Sequence, residues 1–231
     1  MRLAIALFAL SLLAVACSGD SRPPTSDVYG SAPWTGDETL FYDVETDQGE
    51  MLGREELNID VQDGGWTILG QLFTATSRRD ESKVTVETAT LKPNSSTREI
   101  VTPDDEELIE VTYTDQGALI KQGERQSGLS VPEHSYDNDT SLFLWRTIPF
   151  AVGYEASYNT IITNFRSRQV VTLRVTRRET VTVPAGSFET WRLEIRTSNA
   201  NQTAWYADTP TRPLVKYDND RNVIFELTSR P

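Results

Sequence analysis

Apolar and polar residues alternate with a period of two along much of the chain after Glu38. The clearest segments have their apolar residues at Leu40, Tyr42 and Val44; Leu57, Ile59 and Val61; Ile109, Val111 and Tyr113; Val171, Leu173 and Val175; and Trp191, Leu193 and Ile195. Because successive side chains of a strand point to opposite faces, each segment predicts a β-strand with one apolar face. The pattern is typical of antiparallel sheets that have one solvated face.

Turn-forming residues separate these segments. Asp47-Gln48-Gly49, Asp63-Gly64-Gly65 and Asp115-Gln116-Gly117 are typical of hairpins, since glycine adopts positive φ without steric cost. Pro184-Ala185-Gly186 and Asp218-Asn219-Asp220 indicate two later turns. About ten to twelve strands joined in this way predict an all-β fold: a large antiparallel meander curled into a barrel or half-barrel, or split into two packed sheets.

The segment from Trp66 to Ala75 departs from simple alternation. Its large apolar residues fall on both faces, with Trp66, Ile68 and Leu72 on one face and Leu69 and Phe73 on the other. We therefore expect this strand to be buried on both sides.

One short helix is predicted from Thr140 to Ile148, with Asp139 as its N-cap and Pro149 at its end. Its apolar residues share one face at helical spacing: Leu142, Trp145 and Ile148. We expect this face to pack across the open concave side of the sheet, in preference to acting as a moving lid.

The first 17 residues, MRLAIALFALSLLAVAC, have the composition of an export signal: a basic start, an apolar core and small residues before Cys17. Residues 13–17 resemble the lipobox of bacterial lipoproteins, in which the chain is cut before the cysteine and the cysteine is acylated with fatty acids such as palmitate. Cys17 is the single cysteine of the chain. The alternatives are an ordinary cleaved signal and a transmembrane helix, but the apolar run is shorter than the roughly 20 residues that span a bilayer.

These features divide the chain into three parts. Residues 1–16 are predicted to be a lipoprotein signal peptide, residues 17–37 a lipidated and flexible tether rich in Ser, Gly, Pro and Asp, and residues 38–231 a single β-rich domain. The expected location is outside the cytoplasm, with the membrane as partner through the N-terminal lipid. Ser18 favours sorting to the outer membrane, facing the periplasm, in a source that has two membranes.

The charge of the chain disfavours nucleic acid as a partner. Without residues 1–16, 21 basic and 34 acidic residues remain, a net charge of −13, and such a surface repels phosphate backbones. With one cysteine and one histidine, His134, the chain lacks the ligands of thiolate zinc sites, iron–sulfur clusters and His-rich metal sites. We expect no cofactor and no metal.

Two segments carry a family resemblance. These are residues 179–195, ETVTVPAGSFETWRLEI, and residues 204–228, AWYADTPTRPLVKYDNDRNVIFELT. Together with residues 136–150, YDNDTSLFLWRTIPF, they resemble a family of exported bacterial β-proteins of unknown function. Members of that family end with a VPAG-F strand pair and a WY strand. The resemblance implies a curved antiparallel sheet similar to the half-barrel of periplasmic lipoprotein carriers. It brings no catalytic residues.

No residue pattern predicts catalysis. His134 is the single candidate base for a Ser-His-acid site. The sequence contains no Gly-x-Ser-x-Gly elbow. The segment around His134 is polar and contains Pro132, which favours a solvated histidine in a loop. The acidic run from Asp104 to Glu107 is typical of an exposed turn. Asp218-x-Asp220-x-Asn222 and Asp137-x-Asp139-x-Ser141 imitate calcium loops, but an Asx turn and a helix cap explain them.

The first functional hypothesis is a non-enzymatic, lipid-anchored envelope protein that binds a hydrophobic small molecule or an envelope protein on its concave face. The candidate ligand-binding residues are Trp66, Leu69, Phe73 and Trp205. Trp205 is included because it and the adjacent Tyr206 must point to opposite faces of their strand. A structural or assembly module with a filled barrel is the alternative. A hydrolase that uses two carboxylates is the third hypothesis.

Overall fold

The computed structural model describes residues 22–229. In these residues the chain forms fifteen strands and one short α-helix, α1 (Ser141–Leu144). The strands are β1 (Glu38–Glu45), β2 (Met51–Gln62), β3 (Trp66–Ala75), β4 (Arg78–Glu87), β5 (Pro93–Val101), β6 (Glu106–Thr114), β7 (Gly117–Gln122), β8 (Arg125–Leu129), β9 (Ser135–Asp137), β10 (Glu155–Ile162), β11 (Ser167–Val183), β12 (Gly186–Arg196), β13 (Asn201–Ala207), β14 (Leu214–Asp218) and β15 (Ile224–Ser229).

All the described strands belong to one sheet, in the order β8-β7-β6-β5-β4-β3-β2-β1-β15-β14-β13-β12-β11-β10-β9. Every neighbouring pair is antiparallel except β9 and β10, which are parallel. The pairing of β1 with β15 joins the two halves of the meander. The sheet curls until its ends approach each other, where the Tyr113 hydroxyl on β6 donates to the Asp137 carboxylate in β9 at 2.6 Å. The predicted all-β, curled antiparallel fold is confirmed, with more strands than expected.

The apolar stripes predicted from the alternation line the inside of the curled sheet. Leu40, Tyr42 and Val44 are buried, as are the corresponding residues of β11 and most of those of β6 and β12. Tyr113 of β6 and Trp191 of β12 are partly buried. Val61 is an exception, because it lies at the end of β2 beside the turn and is 40% exposed. The predicted turns are present, and Gly64 and Gly65 have φ of 78° and 85°, which other residues rarely adopt.

The predicted helix is shorter than expected and lies between two 3-10 turns, at Asn138–Thr140 and Trp145–Thr147. Asp139 does not cap α1, whose N-cap residue is Thr140 without a capping side-chain hydrogen bond. The capping side chain is that of Asp137, at the start of the first 3-10 turn, where its carboxylate accepts from the Asp139 N–H at 2.9 Å. Residues 142–148 are buried against the inner face of the sheet. The Trp145 indole donates to the Tyr158 hydroxyl at 2.9 Å, and the Tyr206 hydroxyl donates to the Leu142 carbonyl at 2.8 Å. This segment therefore fills the C-terminal half of the barrel.

The described part of the predicted tether, residues 22–37, packs on the domain, so its description as flexible is wrong. Val28 and Trp34 are 3% and 7% exposed, and both belong to the main core. The Ser26 N–H donates to the Ser157 carbonyl at 2.8 Å. Burial of these side chains, together with hydrogen bonds from the segment to the domain, offsets part of the conformational freedom that the segment loses. Cys17 and the predicted signal peptide lie outside the described residues.

Between residues 22 and 229, no helix has both the length and the apolar character needed to cross a membrane.

Candidate ligand cavity

The inner face of the N-terminal half changes from apolar to polar along its strands. On β4, Val84 and Val86 are buried in the core, whereas Ser82 and Asp80 occupy the preceding inward positions. Strand register extends this polar region sideways. Asp80 pairs with Phe73 of β3, and Phe73 pairs with Glu55 of β2. Cross-strand neighbours on one face are in contact, so the polar residues collect at one end of the barrel.

A cavity of about 510 Å³ occupies this end. The hairpin formed by β14 and β15 bounds it on one side, and the exposed residues Leu52 and Arg78 stand at its rim. Its walls combine apolar and polar groups. They are Val44, Leu52, Glu55, Gln71, Phe73, Arg78, Asp80, Ser82, Arg98, Asp139, Asn219, Val223 and Phe225.

An ion-pair network holds one wall of the cavity. Arg98 of β5 donates to both Asp80 oxygens at 2.9 Å, and its third nitrogen lies 3.4 Å from the Asp139 carboxylate. Arg78 donates to Asp80 at 2.7 Å. Burial alone would raise the pKa of Asp80, but hydrogen bonds from Arg98 and Arg78 outweigh it and lower that pKa below its usual value. Asp80 is therefore an ionised carboxylate with both oxygens occupied.

Glu55 faces the same cavity without a partner. It is 4% exposed, and among residues 22–229 its carboxyl has neither a hydrogen bond nor an ion pair. Burial raises the pKa of Glu55 to about 8, and the negative charge of Asp80 adds to this effect while Arg98 opposes it. At neutral pH the group is therefore mostly protonated.

Two carboxyl groups near α1, those of Asp137 and Asp139, adjoin this wall, and Asp139 also lines the cavity. Asp137 accepts hydrogen bonds from the Tyr113 hydroxyl and the Asp139 N–H. Burial, reinforced by the charge of Asp139, raises the pKa of Asp137 to about 7. Burial also raises the pKa of Asp139, although Arg98 opposes this shift. The interior of the barrel thus contains more carboxyl groups than guanidinium groups.

A second, smaller cavity of about 170 Å³ lies beyond Gln71 and Asp139. The two cavities share Gln71, Asp139 and Phe225 as lining residues, and the Gln71 side chain donates to the Asp139 carbonyl. This contact between β3 and the helical segment divides the inner space of the barrel into two compartments.

The four residues predicted to bind a ligand do not form one site. Phe73 lines the 510 Å³ cavity, whereas Leu69 is fully buried in the core. Trp66 is 39% exposed and borders a different cavity near His134, so the expectation of burial on both sides of its strand is wrong at that end. Trp205 faces outward, where its indole donates to Glu179 at 2.8 Å, while the adjacent Tyr206 is buried.

His134 is partly buried rather than solvated. Its Nδ1 lies 3.3 Å from Asp27, and its backbone has a φ of 57°. The neighbouring hydroxyl of Ser135 donates to the Pro132 carbonyl at 2.6 Å, so it is not directed at the imidazole. A nucleophile beside a base, which a Ser-His site needs, is not formed by this pair.

The sequence segments that imitate calcium loops have structural roles. Asp218 and Asn219 accept hydrogen bonds from backbone N–H groups of the β14–β15 turn, which is an Asx arrangement. In the part of the chain that the structure describes, no three His, Cys, Asp or Glu side chains are grouped so that they could hold a metal ion.

The residues of the polar wall were not singled out from the sequence. Glu55 stands two places before Leu57, so continuing the alternation of β2 would have placed it inside. Asp80 and Arg98 lie in strands of mostly polar residues, where alternation gives no indication of the inner face.

The geometry defines a barrel-like all-β protein with a mixed polar and apolar inner cavity. A sequence profile of the DUF3108 family, proteins of unknown function, matches residues 41–223. The chain belongs to this family. No curated protein matches the chain in sequence.

In structure, the chain is similar to a beta-barrel-like protein of the domain of unknown function DUF1849 from Brucella abortus. The TM-score is 0.54 at 9% sequence identity, over 83% of this chain and 95% of that chain. This likeness concerns the fold alone.

Two further structures superpose less well. One, from Parabacteroides distasonis, is described as a "putative lipoprotein" and has a TM-score of 0.35 at 14% identity, over 89% of this chain and 100% of its own. The other, from Bacteroides fragilis, is described as a "putative exported protein with YmcC-like fold" and has a TM-score of 0.32 at 10% identity, over the same shares. These scores are too low to define a common fold.

Proposed function

We propose that this protein is a non-catalytic binding protein of the cell envelope that takes an amphipathic small molecule into the 510 Å³ cavity. One observation carries the proposal: a buried carboxyl without a protein partner, Glu55, faces a cavity whose other walls include apolar side chains. The volume is within the range of small-molecule sites, roughly 300–1,000 Å³, and such sites combine apolar walls with a few polar groups.

The composition of the walls requires an amphipathic ligand rather than a purely hydrophobic one. Phe73, Phe225 and Leu52 offer apolar surface, while Gln71 and Glu55 offer hydrogen-bonding groups. A purely apolar ligand would leave the buried polar groups without partners, which costs free energy. The proposed relationship to the half-barrels of lipoprotein carriers therefore concerns the shape of the sheet, with a more polar interior.

The carboxyl groups of the cavity favour binding over hydrolysis. A glycosidase needs one protonated carboxyl and one carboxylate that is free to act as nucleophile or base. Glu55 has the protonation state of the first, but both oxygens of Asp80 accept hydrogen bonds from arginine. Asp80 is therefore committed to an ion pair and is a poor nucleophile.

The N-terminal sequence supports the proposed location of the protein. The basic start, the short apolar core and Cys17 at the expected cleavage position support export and attachment through a lipid on Cys17, such as palmitate. Two or three acyl chains give stable attachment, whereas one gives marginal binding. The cavity would then act close to a membrane surface, where amphipathic molecules concentrate.

An assembly module is the second candidate, with another envelope protein as its partner. Within residues 22–229, β8 has a strand neighbour on one side alone. A strand edge with unpaired N–H and C=O groups can add a strand from another chain. This role does not require the cavity, so the two candidates are separable.

Native mass spectrometry of the mature domain, purified from its own envelope without detergent, tests the first candidate. We expect a reproducible additional mass. Val223→Trp would fill the cavity and remove that mass, whereas Val152→Trp, at a site that is 66% exposed, would retain it. A bare mass for the unaltered domain would contradict the proposal, as would equal occupancy in the two variants.

A further inference from the structure

Glu55 is the one ionisable residue of the cavity lining that lacks an ion-pair partner within residues 22–229. Asp80 is paired with Arg98 and Arg78, and Asp139 lies 3.4 Å from Arg98. Both guanidinium groups of the lining are therefore committed to aspartates. A charged partner stabilises a buried carboxylate more than it stabilises an exposed carboxylate, because little water screens a buried pair.

The charges around Glu55 favour a cation in the cavity. The lining contains three carboxyl groups, on Glu55, Asp80 and Asp139, and two guanidinium groups. Asp80, Asp139 and Glu56 all disfavour a negative charge on Glu55, and Arg98 compensates for this incompletely. An anionic ligand would meet the same repulsion. When Glu55 is ionised, the lining carries three carboxylates and two guanidinium groups, and a positive group beside Glu55 would balance them.

We propose, on the basis of the function proposed above, that the ligand carries a protonated amine that forms an ion pair with the Glu55 carboxylate. The apolar part of the ligand lies against Phe73 and Phe225, which line the same cavity. The class of ligand is therefore an organic cation with an apolar body.

Binding of this class releases a proton. In the free protein at pH 7 the Glu55 carboxyl is mostly protonated, because its pKa is about 8. When an ammonium group pairs with it, the carboxyl loses its proton to the buffer and the ammonium keeps its own. No covalent bond is formed or broken. A ligand with a neutral polar group would accept or donate a hydrogen bond without this release.

The test compares three probes that share an eight-carbon chain and differ in charge: n-octylamine, n-octanol and octanoate. Isothermal titration calorimetry at pH 7 in two buffers of different ionisation enthalpy gives the affinity and the protons released. Glu55→Gln keeps the shape of the protonated acid, and Glu56→Gln, at the next position on the other face of β2, is the matched control.

We expect octylamine to bind at least about tenfold more tightly than octanol or octanoate, with release of close to one proton. Glu55→Gln should weaken octylamine binding by at least about tenfold and abolish the proton release, since loss of a buried charge partner has effects of this size or larger. Glu56→Gln should change both quantities little, because Glu56 has the smallest effect of the charges that act on Glu55.

Other results overturn the inference, and they separate it from the proposed function. Equal binding of octanol and octylamine, abolished by Val223→Trp, would leave an amphipathic binding cavity without selection for amines. Tight octylamine binding that Glu55→Gln does not weaken would reject Glu55 as the recognition group. Binding of none of the three probes would reject this ligand class, and the native mass of the purified domain would then decide the proposed function independently.

Discussion

Arg98 and Asp80 form a bidentate ion pair on the inner face of the sheet, with Nε–Oδ1 and Nη2–Oδ2 distances of 2.9 Å. The side chains are 22% and 11% exposed, so the pair is largely removed from water. Asp80 also accepts from Arg78, and Arg98 also reaches Asp139. The pair therefore links β4 and β5 to the helical segment and forms the rigid wall against which Glu55 is placed.

A double-mutant cycle on Arg98→Met and Asp80→Asn should reveal this coupling. Each single substitution should lower the free energy of unfolding by about 2–4 kcal/mol, because it leaves a buried charge without its partner. The double substitution should cost less than the sum, with a coupling of about 1–3 kcal/mol. Urea unfolding followed by tryptophan fluorescence measures both; additive effects would contradict the pairing.

Stability should fall as pH rises from about 4.5 to about 8. The folded-state pKa of Glu55 is raised to about 8 from its ordinary 4.5, so over this range the folded protein holds a proton that the unfolded chain has released. Its stability contribution is complete below pH 4.5 and is lost as pH rises through 8, by about 5 kcal/mol. Asp137, with its pKa raised to about 7, acts in the same direction.

The Glu55→Gln variant isolates the contribution of Glu55 to this slope. Glutamine stays neutral, so the variant should lose less stability than the unaltered protein between pH 5 and 8.5. It should also be the more stable of the two above pH 8. Chemical unfolding at a series of pH values gives the comparison. Identical pH profiles would show that Glu55 titrates normally.

Arg146 should be a major contributor to stability. It is buried in the helical segment, donates to Glu38 of β1 at 2.6 Å and donates to the Thr211 carbonyl at 2.6 Å. Arg146→Met should cost about 3 kcal/mol, since Glu38 and the carbonyl lose a buried partner.

Arg174 provides the matched control for Arg146. It pairs with Glu155 at 3.1 Å, but both side chains are about half exposed, and exposed pairs contribute up to about 1 kcal/mol. Arg174→Met should therefore have a small effect on the unfolding midpoint in urea. Similar costs for the two substitutions would contradict the role given to Arg146.

The N-terminal segment should stabilise the domain through Trp34. Trp34 is 7% exposed and packs in the main core, so Trp34→Ala should cost about 3 kcal/mol, in the range of large-to-small core substitutions. Trp66→Ala, at a residue that is 39% exposed, should cost clearly less. Thermal unfolding of both variants measures the difference, and an unchanged midpoint for Trp34→Ala would restore the description of residues 22–37 as a free tether.

Cys17→Ser should release the protein from the membrane. The substitution removes the thiol to which the acyl chains would be attached, so the protein should move to the soluble fraction and should no longer incorporate labelled palmitate. Fractionation of cells that express each form measures the first effect. Labelled palmitate that the Cys17→Ser variant still incorporates would contradict lipidation at this residue.

Local patterns in the sequence were sufficient to predict the class of fold. The alternation of Leu40, Tyr42 and Val44, and the separation of Tyr206 and Trp205 onto opposite faces, depend on the two-residue period of a strand, and the structure confirms both. The turn at Gly64-Gly65 depends on a conformation that glycine adopts freely. These properties are local, so they can be read from neighbouring residues.

Packing between distant segments decided the features that local sequence patterns did not predict. Residues 22–37 have the composition of a linker, yet Trp34 is buried because the domain presents a surface that it can cover. The capping side chain is that of Asp137 instead of the predicted Asp139. The Asp137 carboxylate also accepts a hydrogen bond from the Tyr113 hydroxyl of β6. Composition and spacing do not contain these contacts, since they join residues far apart in the chain.

The sequence by itself determined that the chain is acidic and that it forms a curled antiparallel sheet. The two-residue period and the turn glycines act over a few neighbouring residues, so the sequence contains them directly. The tertiary structure alone decided the candidate site. Glu55, Asp80, Arg98 and Asp139 come from three strands and the helical segment, and strand register together with the hairpin of β14 and β15 brings them around one cavity. Which inward-facing polar residues meet depends on register and curvature, and these are set by the packing of the whole sheet.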